Sequence, residues 1–498
     1  MSFATIDKNG IDKYITQTDL LINEIKNSKT DVNVIGTKYY VSTDGNDDND
    51  GLSSETAWKT IAKVNSYGFK YGDGVFFKRG DKFRLTSTLN TALGVTYSAY
   101  GDGEKPVLMG SIDASGEDKW ESTEYENIYR FKQDINGQAN DVGSIVINNG
   151  AMWGIQAQKN IRGERHDIGR VFNGVEWFDT TAGPFEDQRD LDHDLEYYHN
   201  WEENALYLYS SAGNPGKVFD SVELSIKGYG IEITENYDVT IDNLAFFGIG
   251  AHAISGSRLR NVKIQYCTFN WIGGSIQGKF LFESDHGLRY GNAVEAWYSC
   301  DGFEIHHCYA SQIYDCCWTA QYSDAGVMRD VHFHHNVAEF CNTGLEVWQE
   351  GGLIENMKLH DNHTRYAGYG WSHQRIGKDG NFFYGAHGLP AVSKNNDVYN
   401  NINYFASALA ILARPTGKQY YNFHDNIYVM EEGKLLGGLC EYPESSSGEW
   451  NLNRGTAFDE ATILNLQARG YEEGSSYYLC KKDTAEMLGD MYKLCLPK

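Results

Sequence analysis

Between residues 239 and 427 the chain repeats a short alternation of apolar and polar positions. Apolar residues occupy every second position of each phrase, the period of a β-strand with one buried face. The last residues of successive phrases lie 23, 41, 28, 26, 39 and 25 positions apart. This recurrence, lengthened twice, indicates stacked coils with two insertions. The phrases are Val239–Leu244, Val262–Cys267, Phe303–Cys308, Val331–Asn336, Met357–Asn362, Asn396–Asn401 and Tyr421–Asn426.

The residue that ends each phrase is predicted to point inward and to stack on its equivalents. One short strand cannot bury its inner face, whereas stacked strands bury a continuous core. A buried asparagine is costly alone, but a stacked series lets each amide hydrogen-bond to the next, at an interstrand spacing of roughly 4.8 Å. We expect a ladder formed by Asn336, Asn362, Asn401 and Asn426 and continued by Cys267 and Cys308.

With this repeat the chain resembles the pectate-lyase-like superfamily of carbohydrate-active enzymes. Lys38–Ile61 and Gly72–Asp81 are also similar to the entry coils of parallel β-helix glycosidases and lyases. The resemblance implies an all-β fold, a right-handed parallel β-helix solenoid, and a glycan-active enzyme of the glycoside hydrolase type. A shared fold specifies the architecture better than the reaction.

Departures from the repeat predict the domain organisation. An amphipathic pattern at the N-terminus predicts a helix that covers an open end of the solenoid, and Phe458–Arg469 predicts a short helix at the other end. Where the repeat is absent before residue 223, we expect an inserted β-rich subdomain. The predicted units are an N-terminal capping helix (1–37), first β-helix coils (38–119), the inserted subdomain (120–222), the main β-helix with the active-site cleft (223–440) and a C-terminal cap (441–498).

The acidic balance of the chain excludes several classes of partner. Its 498 residues carry 68 acidic and 43 basic side chains, a formal net charge of −25. Such a surface repels nucleic acid and anionic membranes. Aromatic residues form 14 % of the chain, which suits a protein that packs indole rings against sugars. We therefore expect an oligosaccharide partner and neither a nucleic acid nor a membrane partner.

Two segments with the pattern Glu-x-Trp carry the candidate chemistry. In Ala293–Trp297 and Gly344–Trp348 the apolar positions alternate with Glu295, Trp297, Glu346 and Trp348, so these four side chains should point outward. Counting from the ladder residues places Trp318 level with Glu346, and Gln321 level with Gln349. The predicted substrate-binding residues are Trp297, Trp318, Trp348, Trp371, His373, Arg375, Gln321, Gln349 and Arg414.

Three carboxyl groups, those of Asp315, Glu346 and Glu295, are predicted to be catalytic. Glycosidic cleavage uses two carboxyl groups, one as acid and the other as nucleophile or base. Asp315 lies one coil from either glutamate, and one coil spacing of roughly 4.8 Å brings carboxyl groups within the required range. We assign Glu346 and Asp315 as the pair, with Glu295 tuning their protonation or binding a hydroxyl. A row of surface acids without catalytic function is the competing interpretation.

No metal or other cofactor is expected at this site. The acid-rich turn Asp44–Asp50 offers oxygen ligands for a structural Ca²⁺, although a hydrogen-bonded Asx turn is favoured. A second group consists of four histidines, each of which follows an inward apolar residue, so they should form a column on the outside. We interpret this column as solvated and not as a metal site. Its members are His306, His334, His360 and His424.

The leading functional prediction is a glycoside hydrolase acting on a neutral or weakly charged oligosaccharide. The first alternative is a polysaccharide lyase, which needs a base and a cation that neutralises a uronate; His373, Arg375, Arg414 or Lys279 are the candidates. The second alternative is a non-catalytic glycan-binding β-helix. Insertions at residues 273–290 and 378–387 should form walls of the cleft, because loops between coils protrude on the binding face.

The N-terminus and the cysteines favour a cytoplasmic protein. Met1–Lys8 contains neither an apolar signal core nor a cleavage site. The nine cysteines are odd in number and lack the spacing of a metal site, as expected for reduced thiols.

If this is correct, a thiol titration of the denatured protein should count nine free thiols. Reduction before titration serves as the control, because it should leave that count unchanged. A lower count that rises on reduction would reveal a disulfide and indicate an exported protein instead.

Overall fold

The computed structural model describes residues 3–29, 31–159, 164–165, 169–175, 177–180, 183–234, 237–277, 288–322, 326–349, 351–375, 380–386, 392–413, 421–439, 457–468 and 470–480. Its body is a parallel β-helix in which successive coils add strands to three sheets, here called sheets 1, 2 and 3. The three inner faces enclose one continuous apolar core. The predicted all-β parallel β-helix is therefore confirmed.

Sheet 1 contains Leu89–Asn90, Ile231–Thr234, Asn381–Ala386, Leu409–Ala413 and Leu435–Leu439. Sheet 2 contains Lys38–Val41, Gly74–Lys78, Thr96–Tyr100, Thr240–Asp242, Val327–His334, Leu353–Glu355, Lys358–His360, Val392–Lys394, Asp397–Tyr399 and Asn422–His424. Sheet 3 contains Lys82–Arg84, Val107–Met109, Ala245–Ile249, Thr268–Ile272, His363–Ala367, Ile402–Ala406, Ile427–Glu431, Ser476–Cys480 and Phe3–Ile6.

Four long strands bend around a corner and so belong to two sheets. Ile254–Gln265 and Val294–His306 pass from sheet 1 into sheet 2. Tyr309–Tyr322 and Val337–Gln349 pass from sheet 3 into sheet 1. These long strands follow one another in the middle of the solenoid, where the Glu-x-Trp segments lie.

The predicted asparagine ladder is present at the corner between sheets 2 and 3. The Nδ2 atom of Asn336 donates to Oδ1 of Asn362 at 3.0 Å, and the same bond joins Asn362 to Asn401 at 3.1 Å and Asn401 to Asn426 at 3.0 Å. At the start of the row, Oδ1 of Asn336 accepts the backbone N–H of Cys308 at 2.9 Å. All four amides are buried, so each hydrogen bond satisfies a group that water cannot reach.

The residue before each ladder position adopts a left-handed backbone conformation, which turns the chain from sheet 2 into sheet 3. Tyr266, His307 and His335 have φ angles of 52°, 51° and 54°. Bulky residues pay roughly 1–2 kcal/mol for this conformation. The ladder supplies compensating hydrogen bonds, because Nδ2 of Asn336 also donates to the backbone carbonyl of Ile305 at 2.8 Å.

The N-terminal helix is present as Lys8–Asn27, but it lies along the side of the solenoid and not across its end. Tyr14 packs against Tyr478 with ring centroids 6.0 Å apart, and Thr18 hydrogen-bonds to His363 at 2.8 Å. Twenty residues extend about 30 Å, which crosses roughly six coils on the outer face of sheet 3. The capping contact is made by the strand before the helix, because Phe3–Ile6 pairs with Ser476–Cys480, a strand near the C-terminal end.

Both ends of the solenoid are covered by apolar side chains. At the first end, the helix Ile61–Ser66 buries Ile61 and Val64 beside the stacked rings of Tyr39 and Trp58. At the other end, the helix Glu460–Ala468 buries Ile463 and Leu466 against the core, as the sequence predicts. Covering the final coils protects sheet edges that would otherwise pair with other chains.

The inserted β-rich subdomain is also present. Its five-stranded sheet consists of Ile155–Gln156, Glu196–Asn200, Ala205–Tyr209, Ile128–Phe131 and Trp120–Ser122. It connects to the solenoid through an antiparallel extension formed by Met152–Trp153, Val142–Ile147, Val222–Ile226 and Ser111–Asp113.

The remaining short elements are the strand pairs Glu164–Arg165 with Gly183–Pro184, Gly169–Phe172 with Trp177–Thr180 and Ser275–Ile276 with Arg289–Tyr290, and the helical turns Glu117–Lys119, Gly137–Asn140, Asn148–Gly150, Gln188–Asp190, Pro215–Val218 and Gly370–Gln374. The exact domain boundaries stay a prediction.

A buried ion pair fixes this subdomain to the solenoid. Asp141 is fully buried and accepts a bond from Nη1 of Arg289 at 2.6 Å and from Nε1 of Trp201 at 2.8 Å. Burial alone would raise the pKa of Asp141, but Arg289 and His199 lower it to about 2. The carboxylate therefore stays charged and joins side chains from both parts of the chain.

The acid-rich turn is stabilised by its own hydrogen bonds. Asp50 accepts from the N–H of Leu52 at 3.0 Å, and Asp47 accepts from the hydroxyl of Thr60 at 2.7 Å. The bond from Leu52 to Asp50 is the contact of an Asx turn, whereas the bond from Thr60 joins the turn to the residue that precedes the helix Ile61–Ser66. A structural Ca²⁺ at Asp44–Asp50 stays a prediction. Within the described ranges, no helix is both long enough and apolar enough to cross a membrane.

The ladder makes Asn362 a critical residue for stability. Asn362→Ala removes two donated bonds and leaves the amide of Asn336 without its acceptor, so the free energy of unfolding measured in urea should fall by about 2–3 kcal/mol. Asn422→Ala is the matched control, because Asn422 donates to Asp397 on the partly exposed outer face of sheet 2. Its loss should stay below about 1 kcal/mol. Equal losses for the two variants would contradict a special role of the ladder.

Candidate active site

The outer face of sheet 1 carries two neighbouring columns of side chains. In the first column Glu295 lies beside Thr319, and Thr319 lies beside Glu346. Glu295 and Glu346 are thus two strands apart, about 9.6 Å along the backbone. In the second column Gln321 lies beside Trp348, and Trp297 occupies the same position in the preceding strand. Both Glu-x-Trp segments therefore point to one side of the sheet.

The predicted alignments of Trp318 and Gln321 are wrong because one extra residue shifts the strand register. The pairing between Tyr309–Tyr322 and Val337–Gln349 contains an irregularity between Ile313 and Cys316. A one-residue shift moves each later side chain to the opposite face of the sheet. Trp318 is therefore 1 % exposed in the core, where we expected an outward sugar platform, and Thr319 takes the position level with Glu346. Gln321 consequently aligns with Trp348 and not with Gln349; Gln349 points inward and accepts from the hydroxyl of Tyr421 at 3.0 Å.

Trp371 is also buried, contrary to the prediction. It lies in the helical turn Gly370–Gln374, where it packs against Tyr314 and Trp271 with ring centroids 5.3 Å and 5.6 Å away. Its role is therefore packing beneath the loops that join sheets 3 and 1. His373 of the same turn is exposed, and its Nδ1 atom lies 3.2 Å from the backbone carbonyl of Gly368.

The structure brings Asp315 and Arg375 together as an ion pair. Nη2 of Arg375 lies 3.2 Å from Oδ2 of Asp315, and the two side chains are only 9 % and 11 % exposed. Burial alone would lower the pKa of Arg375, but the carboxylate of Asp315 raises it, together with Tyr314 and Glu346. The guanidinium therefore pairs with one member of the predicted catalytic pair and is influenced by the charge of the other.

Glu295 is held by two residues that the sequence prediction missed. Its Oε2 atom lies 2.7 Å from Nε2 of His252 and accepts from Nδ2 of Asn292 at 2.9 Å. Because Nδ1 of His252 accepts the backbone N–H of Asn292 at 3.0 Å, its proton resides on Nε2, which then donates to Glu295. His252 and Asn292 each precede an inward residue, Ile254 or Val294, by two positions. This shared position, two residues before an inward residue of sheet 1, is the sequence feature by which both residues could have been identified.

Gln321 joins the two columns between the glutamates. Its Nε2 atom donates to the hydroxyl of Thr319 at 3.0 Å and lies 3.5 Å from Oε2 of Glu346. Glu346 is 3 % exposed, whereas Trp297 and Trp348 are partly exposed at the surface of the cleft. Tyr384 follows Glu346 in the next coil and packs near Trp348 at 6.5 Å. The site therefore combines carboxyl groups below with aromatic rings at the rim.

Two tyrosine side chains contact the ring of His252. Tyr229 stacks on His252 with centroids 5.6 Å apart, and Tyr290 contacts its edge at 4.8 Å. Burial raises the pKa of both phenols. They are therefore donors of hydrogen bonds and poor bases near neutral pH.

Several predicted residues lie outside the described residues. These are Arg414 and Lys279, together with most of the first predicted insertion and parts of the second. Their place in the cleft stays a prediction.

Comparisons with known proteins find limited similarity. No protein-family model matches the chain. A lacto-N-biosidase of Bifidobacterium longum is 35 % identical over 108 residues, which cover 20 % of this chain and 7 % of that protein. The similarity thus spans far less than two thirds of the curated relative.

Two solved structures are similar in shape at low sequence identity. A glycoside hydrolase matches with 10 % identity and a TM-score of 0.47, covering 90 % of this chain and 96 % of its own. The lacto-N-biosidase of Eubacterium ramulus, of glycoside hydrolase family GH136, matches with 12 % identity and a TM-score of 0.39, covering 85 % of this chain and 68 % of its own.

The corrected register gives Trp318 and Trp348 opposite roles, which stability measurements distinguish. Trp318→Ala leaves a large cavity in the core and should lower the free energy of unfolding by about 3–5 kcal/mol. Trp348→Ala, the matched control, removes a partly exposed ring and should cost less than about 1 kcal/mol. A large loss for Trp348→Ala with none for Trp318→Ala would mean that the two rings face the other way.

Proposed function

We propose that the protein is a glycoside hydrolase that cleaves a neutral or weakly charged oligosaccharide with paired carboxyl groups. The observation that carries the proposal is the column that places Glu295 and Glu346 on one face of sheet 1, beside the partly exposed rings of Trp297 and Trp348. The ion pair of Asp315 and Arg375 lies at the corner where the strand Tyr309–Tyr322 enters this sheet. Indole rings pack against the C–H faces of sugars, and two carboxyl groups supply the acid and the nucleophile or base of glycosidic cleavage.

The surroundings of Asp315 and Glu346 suggest their roles. Asp315 is ion-paired with Arg375, and a neighbouring cation favours a charged carboxylate. Asp315 is therefore assigned as nucleophile or base. As whole residues, Glu346 is 3 % exposed against 7 % for Asp315, and burial disfavours the charged form of a carboxyl group. Glu346 is assigned as the proton donor to the leaving oxygen.

Glu295 is assigned a binding role. The two groups that contact its Oε2 atom, His252 and Asn292, are donors, so Glu295 is suited to accept hydrogen bonds and not to release a proton. A charged carboxylate at this position accepts a sugar hydroxyl and holds the ring over the catalytic pair. Thr319 and Gln321, between Glu295 and Glu346, offer further hydrogen bonds to hydroxyl groups.

The substrate class follows from charge. A formal net charge of −25 disfavours a polyanionic glycan, and the described part of the cleft contains three acids against one arginine already paired with Asp315. The short similarity to a lacto-N-biosidase supports a glycosidase that acts on an oligosaccharide.

A polysaccharide lyase is the second candidate, because Arg375 in the cleft resembles the cation that neutralises a uronate. The ion pair with Asp315 speaks against it, since the charge of Arg375 is already compensated. Tyr229 and Tyr290 have raised pKa values and are poorly suited as the base that the lyase requires. The hydrolase accounts for more of the site.

Isosteric variants test the assigned pair. Glu346→Gln and Asp315→Asn preserve shape but abolish proton transfer or nucleophilic attack, so kcat on a cleaved oligosaccharide should fall by about 10²–10⁴-fold with little change in KM. Trp348→Ala should raise KM instead, because it removes a sugar platform. Reducing ends released from a panel of oligosaccharides provide the measurement, and ultraviolet absorbance detects the unsaturated product of a lyase.

Glu355→Gln is the matched control for these variants. Glu355 makes a salt bridge of 3.3 Å with Arg329 on the outer face of sheet 2, away from the cleft, and its loss should leave turnover unchanged. Wild-type turnover in both Glu346→Gln and Asp315→Asn would refute the assigned pair. Unsaturated products would establish the lyase, and binding without turnover of any glycan would establish a glycan-binding protein.

A further inference from the structure

Two columns of side chains run along the corner between sheets 2 and 3, on the outside of the asparagine ladder. The ring column confirms the predicted stack of histidines and contains His306, His334, His360, Tyr399 and His424. The corner column consists of the left-handed residues beside it, Tyr266, His307, His335, Asp361, Asn400 and Asp425. Each coil therefore presents one residue of each column, side by side.

The rings of the ring column stack closely. His334 lies 5.0 Å from His306 and 5.1 Å from His360, with nearly parallel planes. The imidazole nitrogens of such a stack are potential metal ligands.

At one point of the corner the two columns bring three ligand groups together. One nitrogen of His335, one nitrogen of His360 and one carboxylate oxygen of Asp361 all lie within 4.8 Å of one another. All three residues are partly exposed, so an ion can reach them from solvent. Ligands around a tetrahedral zinc ion lie about 3.4 Å apart for bonds of roughly 2.05 Å. Small side-chain rotations therefore close the site.

We propose that His335, His360 and Asp361 form a binding site for a divalent late first-row transition metal such as Zn²⁺. Two imidazoles and one carboxylate are a ligand set that suits this class of ion better than Ca²⁺ or Mg²⁺, which prefer oxygen alone. Water completes the coordination, because the cluster faces solvent. The site joins two successive coils at their corner, so its metal stabilises the stack and takes no part in the chemistry at sheet 1.

A coil two steps further along shows which residue makes this place different. His424 and Asp425 repeat the pair formed by His360 and Asp361, with ring nitrogen and carboxylate 2.8 Å apart in place of 2.7 Å. The position that corresponds to His335 is there occupied by Asn400. Among the described residues no third imidazole or carboxylate forms such a cluster with His424 and Asp425, and a His–Asp pair alone does not hold zinc tightly.

A second group of potential ligands carries no such inference. Asp192, His193 and Glu196 in the inserted subdomain also lie close together. The guanidinium of Arg165 is ion-paired with both Asp192 and Glu196. That cation already compensates the charge that would attract a metal.

Titration calorimetry with ZnCl₂ on the chelator-treated full-length protein tests the proposal. The wild type should bind one Zn²⁺ with micromolar or tighter affinity, and saturating Zn²⁺ should raise the thermal unfolding temperature. His335→Asn copies Asn400, the residue found two coils further along at the same left-handed position, and should weaken binding at least tenfold. His424→Ala is the matched control and should bind Zn²⁺ like the wild type.

The converse variant provides a gain of function. Asn400→His places an imidazole beside His424 and Asp425, and His335 shows that histidine adopts this backbone conformation. Its stoichiometry should rise from one Zn²⁺ to two. The proposal is refuted if the wild type binds no Zn²⁺ below millimolar concentration, or if His335→Asn and His360→Ala bind it as tightly as the wild type. Circular dichroism verifies that each variant is folded.

Discussion

The hydrogen-bonded stacking of one coil on the next is the interaction on which the rest of this structure depends. At the corner between sheets 2 and 3, the buried amides of Asn336, Asn362 and Asn401 each donate to the amide of the following coil, and Asn426 ends the row. The amides also anchor the left-handed residues that turn the chain. Because an unpaired amide in this interior is costly, the ladder fixes the register of the coils. The columns on the outside of this corner inherit that register, whereas an extra residue between Ile313 and Cys316 changes it on sheet 1.

The two functional proposals arise from the same geometry on different sheets. Stacking places equivalent positions one interstrand spacing apart, so residues distant in sequence become neighbours. On sheet 1 the column contains Glu295, Thr319 and Glu346, and on the corner of sheet 2 it contains histidines and aspartate. The repeat provides the spacing, and the residues that differ between coils provide the chemistry. The N-terminal segment uses this geometry too, since Phe3–Ile6 adds one more strand to sheet 3.

Two buried ion pairs, Asp141 with Arg289 and Asp315 with Arg375, have different surroundings. The buried pair of Asp141 and Arg289 joins the inserted subdomain to the solenoid, and its carboxylate is held charged by several donors. Asp315 and Arg375 form a similar pair, but they lie beside the cleft and near a third ionisable group, Glu346. Asp315 is paired with a cation and Glu346 is the more buried residue, so the two carboxyl groups have different surroundings. Different surroundings allow one carboxyl group to serve as the acid and the other as the base.

The sequence by itself determined the coiled architecture, the ladder and the outward direction of Glu295 and Glu346, because these follow from a period-two pattern repeated at nearly constant length. It did not determine the face of Trp318, since one additional residue between Ile313 and Cys316 inverts the alternation, and the number of residues in a corner is not visible in a hydrophobic pattern. The pairing of Glu295 with His252 and of Asp315 with Arg375 also required the tertiary structure, because these partners lie 43 and 60 positions apart. Contacts between different coils depend on loop paths and side-chain packing, which local sequence does not encode.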